Sequence, residues 1–173
     1  MSINEKTYEN VNHCLRCGTE LILKVDKEDK LRPHCPSCGW IYYKNPIPAA
    51  ACVILNSRNE IVVIKRAVEP NKGEWALPSG YIEIDQSPEQ AASVEMKEET
   101  GLQGKVIKFL GYFDDSSPIY EKVISFGFLM EPTGGLLQAG DDAAEARYVH
   151  LNDIPPLAFS SHEYFVELVR KSV

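Results

Sequence analysis

The chain reads as an α/β protein: a mixed sheet between helices, preceded by a small cysteine-rich ribbon. Three observations carry this reading. Two Cys-x-x-Cys-Gly knuckles lie in the first 45 residues. Past Pro46, runs rich in apolar and β-branched residues alternate with segments that carry helix caps. One of those helical segments holds three glutamates on one face, Glu95, Glu98 and Glu99.

The knuckles are Cys14-Leu-Arg-Cys17-Gly18 and Cys35-Pro-Ser-Cys38-Gly39, joined by a short polar hairpin. Four thiolates at this spacing suit tetrahedral Zn²⁺, in a zinc ribbon. The glycine after each pair permits the tight turn that points amides at sulfur. Two disulfides are the alternative, and the cytoplasmic character of the chain, with no signal peptide read at its start, weighs against them. So small a segment lacks a core, and metal binding supplies its stability, on the order of 10 kcal/mol. The ribbon's Arg16, Lys24, Lys27, Lys30 and Arg32 interleave with Glu20, Asp26, Glu28 and Asp29, which predicts a solvated hairpin. A net charge of −7 and an isoelectric point near 5.1 weigh against a nucleic-acid partner. No apolar run is long enough to span a membrane. Asn45-Pro-Ile-Pro48 forms a stiff extended junction, so the predicted division is a ribbon over 1–45 and a second domain over 46–173.

In that domain, 49–56 reads as a continuous apolar strand with Cys52 in the core, 58–59 as a turn and 60–66 as a second strand. Trp75 to Glu83 reads as strand or loop, with a turn pinned from Pro78 to Gly80. Ser87-Pro88-Glu89-Gln90 is a capping box, opening a helix over 88–100 that Gly101 ends in a left-handed conformation. Ala91 and Ala92 leave room for another backbone. Strands follow at 105–112, 123–131 and 146–150. Ser160-Ser-His-Glu163 reads as a second capping box, accounting for Ser160 and His162, before a helix with Tyr164, Phe165, Leu168 and Val169 as its apolar stripe.

Three like charges on one helix face repel one another. A divalent cation would neutralise them, and the Pro78–Gly80 turn could bring a backbone carbonyl to it. Mg²⁺ takes oxygen ligands and bridges carboxylates to substrate phosphates.

These residues resemble the signature of the Nudix hydrolases. Gly80, Glu95, Met96, Glu98, Glu99, Gly101 and Leu102 stand at its fixed positions. Gln86 and Val94 depart from it, where a glutamate and an arginine are expected. Losing both together removes an ion pair and leaves no orphan charge. The resemblance implies an α/β/α sandwich over 46–173, with Glu95, Glu98, Glu99 and a carbonyl near Gly80 binding Mg²⁺ or Mn²⁺. It implies hydrolysis of the pyrophosphate bond in a nucleotide or dinucleotide of the FAD, NADH or ADP-ribose class, giving two monophosphates. Glu98 is a candidate general base, and Glu145, in the late Gly-Asp-Asp-Ala-Ala-Glu loop, is the other. Arg66, Glu83 and Trp75 are candidate substrate contacts, with Tyr112, Phe113 and Tyr120 as further stacking candidates. By analogy with the family the protein is expected to be a homodimer. The competing expectation is a nucleotide sensor with little turnover, using the ribbon for partner contact.

Overall fold

The computed structural model describes Tyr8 and residues 10–172. The chain divides into two compact units, Met1–Asn45 and Pro46–Val173.

The first unit is built on an antiparallel hairpin of β1 (Ile22–Val25) and β2 (Leu31–His34). Asp26 pins its turn. One carboxylate oxygen accepts from the amides of Glu28 (2.8 Å) and Lys30 (3.0 Å), and the other from Arg32 Nε (2.6 Å). Asp29 at φ 56° supplies the left-handed residue that the turn requires. Arg32 is only 8% exposed and lies 4.6 Å from the Tyr43 ring. The hairpin's other charged residues are exposed or half-buried, as a solvated hairpin requires, and Arg32 is the exception, a buried charge that keeps its partner.

The second unit carries two sheets. The first contains β6 (Ser79–Tyr81), β3 (Ile47–Ile54), β8 (Glu121–Gly135) and β7 (Leu102–Ser117), in that order. β3 and β8 run parallel and the other pairs antiparallel, so this sheet is mixed. The second contains β5 (Trp75–Ala76), β4 (Glu60–Arg66) and β9 (Ala143–His150), all antiparallel. Strand alternation then sorts the core. Ala50, Cys52, Ile54 and Val62 pack with Ala91, Ala92 and Met96 of α1 (Pro88–Thr100). Ala51, Val53, Ile61 and Val63 pack with Phe165, Val166 and Val169 of α2 (Ser160–Arg170). Helices therefore cover both faces, the α/β/α arrangement, and β3 is apolar throughout because both of its faces are buried.

α1 keeps its predicted ends. The Ser87 and Gln90 side chains satisfy each other's backbone amides, and Gly101 closes the helix at φ 69°. The small faces of Ala91 and Ala92 admit β3 so closely that the Cys52 thiol donates to Ala92 O at 3.0 Å. β7 and β8 extend well past the expected 105–112 and 123–131. Asp114–Ser117 and Pro132–Gly135, residues that usually break strands, stay paired in one long hairpin with three register shifts.

The second expected capping box is absent. Phe159 is the N-cap of α2 and contributes no side-chain bond, while Ser160 lies inside the first turn. The amides of His162 and Glu163 return to Phe159 O, and that of Ser161 reaches Asp115 Oδ2 across to β7. The buried stripe is Ser161, His162, Phe165, Val166 and Val169. Tyr164 instead sits at the surface, 5.1 Å from Phe113.

Candidate active site

α1 presents its carboxylates with graded burial: Glu99 is 3% exposed, Glu95 half-buried and Glu98 exposed. All three line a cavity of about 550 Å³, together with Ser79, Gly80 and Tyr81 of β6. The turn before β6 is fixed from two sides. Cys52 N donates to Pro78 O (2.9 Å), and Ser79 N donates to Glu99 Oε2 (2.8 Å). Gly80 lies so close to Glu95 that a Cβ there would overlap its carboxylate. Glycine at this position thus comes from close approach, not from backbone torsion.

Electrostatics single out this wall. The cavity is lined by Glu69, Glu83, Glu95, Glu98, Glu99, Asp115, Asp141 and Asp142, against Arg66 as the one lysine or arginine among the described residues that line it. Burial, followed by the charges of Glu98, Asp141 and Asp142, pushes the Glu95 carboxyl up to about 7. Burial pushes Glu99 up to about 8, the Ser79 amide opposing it and Glu95 adding to it. Eight carboxylates around one guanidinium create a potential that a divalent cation would relieve. Among the described residues, only the four cysteine sulfurs draw within 4.8 Å of one another as a ligand set. The glutamates share a wall without closing to that distance. A hard cation that keeps several waters needs only one or two direct carboxylates, and this donor set fits it.

The structure distributes the other candidates unevenly. Glu83 and Arg66 line the cavity, and Arg66 is held by its Nε bond to Pro70 O (2.7 Å) with its guanidinium 5.2 Å from the Phe159 ring. Tyr120 lines it as well, edge-on to Tyr81 with ring centroids 5.4 Å apart. Gln86 and Val94, the two departures from the signature, lie on the same wall. Trp75 and Glu145 are not brought to the cavity. β5 and β9 both pair with β4 at Lys65, so Trp75 and Glu145 flank Lys65, and the register shifts before Arg66, which does line the cavity. Trp75 instead meets the Arg147 guanidinium at 4.0 Å. Asp141 and Asp142, earlier in the same loop, reach the cavity that Glu145 misses. Tyr112 and Phe113 do not line it either.

Sequence reading missed Tyr81, Asp115, Ser161 and His162, all of which line the cavity. His162 is buried, and its Nδ1 accepts from Leu77 N at 3.1 Å. Burial and then Arg66 lower its pKa to about 3, so the ring is neutral. The Ser-x-x-Glu pattern around it imitates a cap and hid this role.

In the ribbon, Cys14 and Cys38 Sγ are 3.6 Å apart, Cys17 and Cys35 3.4 Å, and Cys17 and Cys38 3.6 Å. A tetrahedron with Zn–S bonds of about 2.3 Å has edges near ~3.8 Å, so four thiolates placed this way fit Zn²⁺. Gly18 (φ 72°) and Gly39 (φ 73°) close the two knuckles, and the amides of Arg16 and Cys38 approach Cys14 and Cys35 Sγ.

The chain matches the NUDIX domain family over residues 45–169 and the Nudix N-terminal family over residues 12–44. It belongs to the Nudix family. It is 42% identical over 120 residues to an ADP-ribose pyrophosphatase of Methanocaldococcus jannaschii, covering 68% of this chain and 70% of the relative. It is 25% identical over 158 residues to an NAD-capped RNA hydrolase, NudC, of Stutzerimonas stutzeri, covering 90% of this chain but 54% of that protein. The crystal structure of a NUDIX hydrolase from Nitrosomonas europaea superimposes with a TM-score of 0.80 at 26% identity, covering 93% and 92% of the two chains. The protein is accordingly a Nudix hydrolase with a cysteine ribbon ahead of its Nudix domain. None of the helices among the described residues is long and apolar enough to cross a membrane.

Proposed function

We propose that this Nudix hydrolase cleaves the pyrophosphate bond of a nucleoside diphosphate linked to a second moiety, of the ADP-ribose, NADH or FAD class. The observation that carries the reading is the carboxylate wall of Glu95, Glu98 and Glu99 facing Arg66 in one cavity. Resemblance to an ADP-ribose pyrophosphatase supports the substrate class.

Glu95, Glu98, Glu99 and the Gly80 turn would hold Mg²⁺ or Mn²⁺. When bound, such an ion polarises a phosphoryl oxygen and lowers the pKa of water. Arg66, already tethered to Pro70 O, orients the diphosphate and offsets its charge. Tyr81 and Tyr120 offer exposed ring surface at the rim on which a planar base stacks. Water attacks one phosphorus, the bridging P–O bond breaks, and the proton of the attacking water passes to Glu98, the most exposed of the three carboxylates. Two monophosphates leave. The Cys14, Cys17, Cys35 and Cys38 cluster would hold Zn²⁺ as a structural ion.

The test is phosphate release after phosphatase treatment, measured across ADP-ribose, NADH and FAD with Mg²⁺ or Mn²⁺. Glu98→Gln is expected to lower turnover about 10²-fold or more. Intact turnover in that variant sinks the assignment of Glu98. A second reading rests on Gln86 and Val94, which leave the cavity wall without the signature's ion pair. It is a sensor, and tight nucleotide binding with no turnover on any of the three substrates would favour it.

A further inference from the structure

At the α2 end of the cavity lies a group of polar atoms that metal binding and phosphate binding do not use. The N-terminus of α2 has no cap of its own, and Ser161 N is served from β7 by Asp115 Oδ2 at 3.3 Å. Ser161 is 1% exposed, and its hydroxyl oxygen is buried with no partner. An unsatisfied buried hydroxyl is costly to a fold, and Ser161 borders the cavity from which a partner would come. Beside it, His162 is 2% exposed and neutral. Its Nδ1 is taken by the Leu77 amide, which places the proton on Nε2. That leaves Nε2 as the donor His162 can offer to a ligand. Phe159 packs edge-on against the ring at 5.0 Å and holds its plane.

The group is registered to the carboxylate wall through one stretch of chain. Leu77 N bonds His162 and Ser79 N bonds Glu99. Those two amides are two residues apart, on either side of Pro78, so the turn before β6 fixes His162 and Glu99 together. Asp115, Ser161 and His162 line the same cavity as Arg66 and the glutamates.

The mixture of groups selects the ligand chemistry. A phosphate would meet Asp115 as a like charge, and an apolar ring would leave three polar groups unpaired. Adjacent hydroxyls match all three: one donates to the Asp115 carboxylate, its neighbour accepts from His162 Nε2, and Ser161 can both donate and accept. We propose that Asp115, Ser161 and His162 form a subsite for vicinal hydroxyls of the sugar carried on the distal phosphate. The proposal rests on the pyrophosphatase reading for its orientation. The hydroxyls come from a closed ribose ring in ADP-ribose or from the open ribityl chain in FAD.

Calorimetry on the full chain with Ca²⁺ tests it, using ADP-ribose, FAD and the propyl ester of ADP, which keeps the diphosphate and lacks the sugar. Wild type is expected to prefer ADP-ribose, FAD or both over the propyl ester by about tenfold, and Ser161→Ala and Asp115→Asn are expected to abolish that preference. Whichever ligand loses it identifies ring or chain as the source. Equal affinity of wild type for all three ligands overturns the subsite, as does a preference that survives Ser161→Ala. Ser161→Ala removes only a partnerless oxygen, so it decides the matter should Asp115→Asn fail to fold. A sugar preference without turnover of any ligand in Mg²⁺ sinks the hydrolase reading and leaves the subsite standing. Turnover without the preference does the reverse.

Discussion

At Gly80 a single missing methyl group sets the geometry of the candidate metal wall. A Cβ there would overlap the Glu95 carboxylate, the flexible end of a half-buried side chain. Alanine therefore leaves the backbone undisturbed and turns Glu95 away from its neighbours. The expected result for Gly80→Ala is a rise of about tenfold in the Mg²⁺ concentration that half-saturates activity, comparable to disturbing a metal ligand's support. Its melting temperature should shift by no more than a few degrees. A Mg²⁺ titration of activity beside a thermal melt separates the two, and an unchanged half-saturation point would remove Gly80 and Glu95 from the cation site. Glu99 is the opposite kind of residue, held by the Ser79 amide and closed off from solvent. Its neighbours fix it where Glu98 is free to turn, which is why the proton-accepting role is assigned to Glu98.

Elements with strong local signals were legible from sequence, and elements decided by distant contacts were not. α1 had both ends written in Ser87, Gln90 and Gly101, and β4 was bounded by its turn and by Arg66. The β7–β8 hairpin outran its expected limits because cross-strand pairing carries Asp115 opposite Val123 and Gly135 opposite Leu102. α2 was misread at its start, since Ser161 and His162 take partners from β7 and from Leu77, far away in sequence. The candidate site divides the same way: the α1 glutamates and Gly80 are local, whereas Asp115 and His162 come together only through tertiary packing. Trp75 and Glu145 show the converse, for both pair with Lys65 of β4 and neither lines the cavity. The ribbon's hairpin is an element with little apolar support, its described buried residues being Tyr8, Cys14, Arg32, Pro33 and Cys35. Elemental analysis is expected to find about one zinc per chain. Stripping it with a strong chelator should abolish hydrogen-exchange protection at the amides of Cys14, Gly18, Cys35 and Gly39, while amides of β3 and β8 keep theirs. Protection of those four amides that survives chelation would show a fold held without metal.

Over the whole molecule, a net charge of −7 is concentrated unevenly, with eight carboxylates around one guanidinium in a single cavity. This ties stability, cation binding and pH together. Glu95 rises to about 7 and Glu99 to about 8 from an ordinary 4.5, so the folded state binds these protons more tightly than the unfolded state does. The contribution of both groups is then complete below pH ~4.5 and is lost as pH climbs through 7 to 8, because the unfolded chain ionises first. A divalent cation competes with the same protons and gains affinity over that window. In chelator, the melting temperature is expected to fall between pH 6 and pH 8.5. Saturating Mg²⁺ should raise it by several degrees more at pH 8.5 than at pH 6, as expected for a ligand that binds only the folded state. Glu99→Gln removes the most buried of these charges, so it should flatten the decline in chelator and shrink the Mg²⁺ gain together. Differential scanning calorimetry at the two pH values, with and without the ion, checks all three. A Mg²⁺ gain larger at pH 6 than at pH 8.5, or one that Glu99→Gln leaves untouched, would place the cation away from this wall.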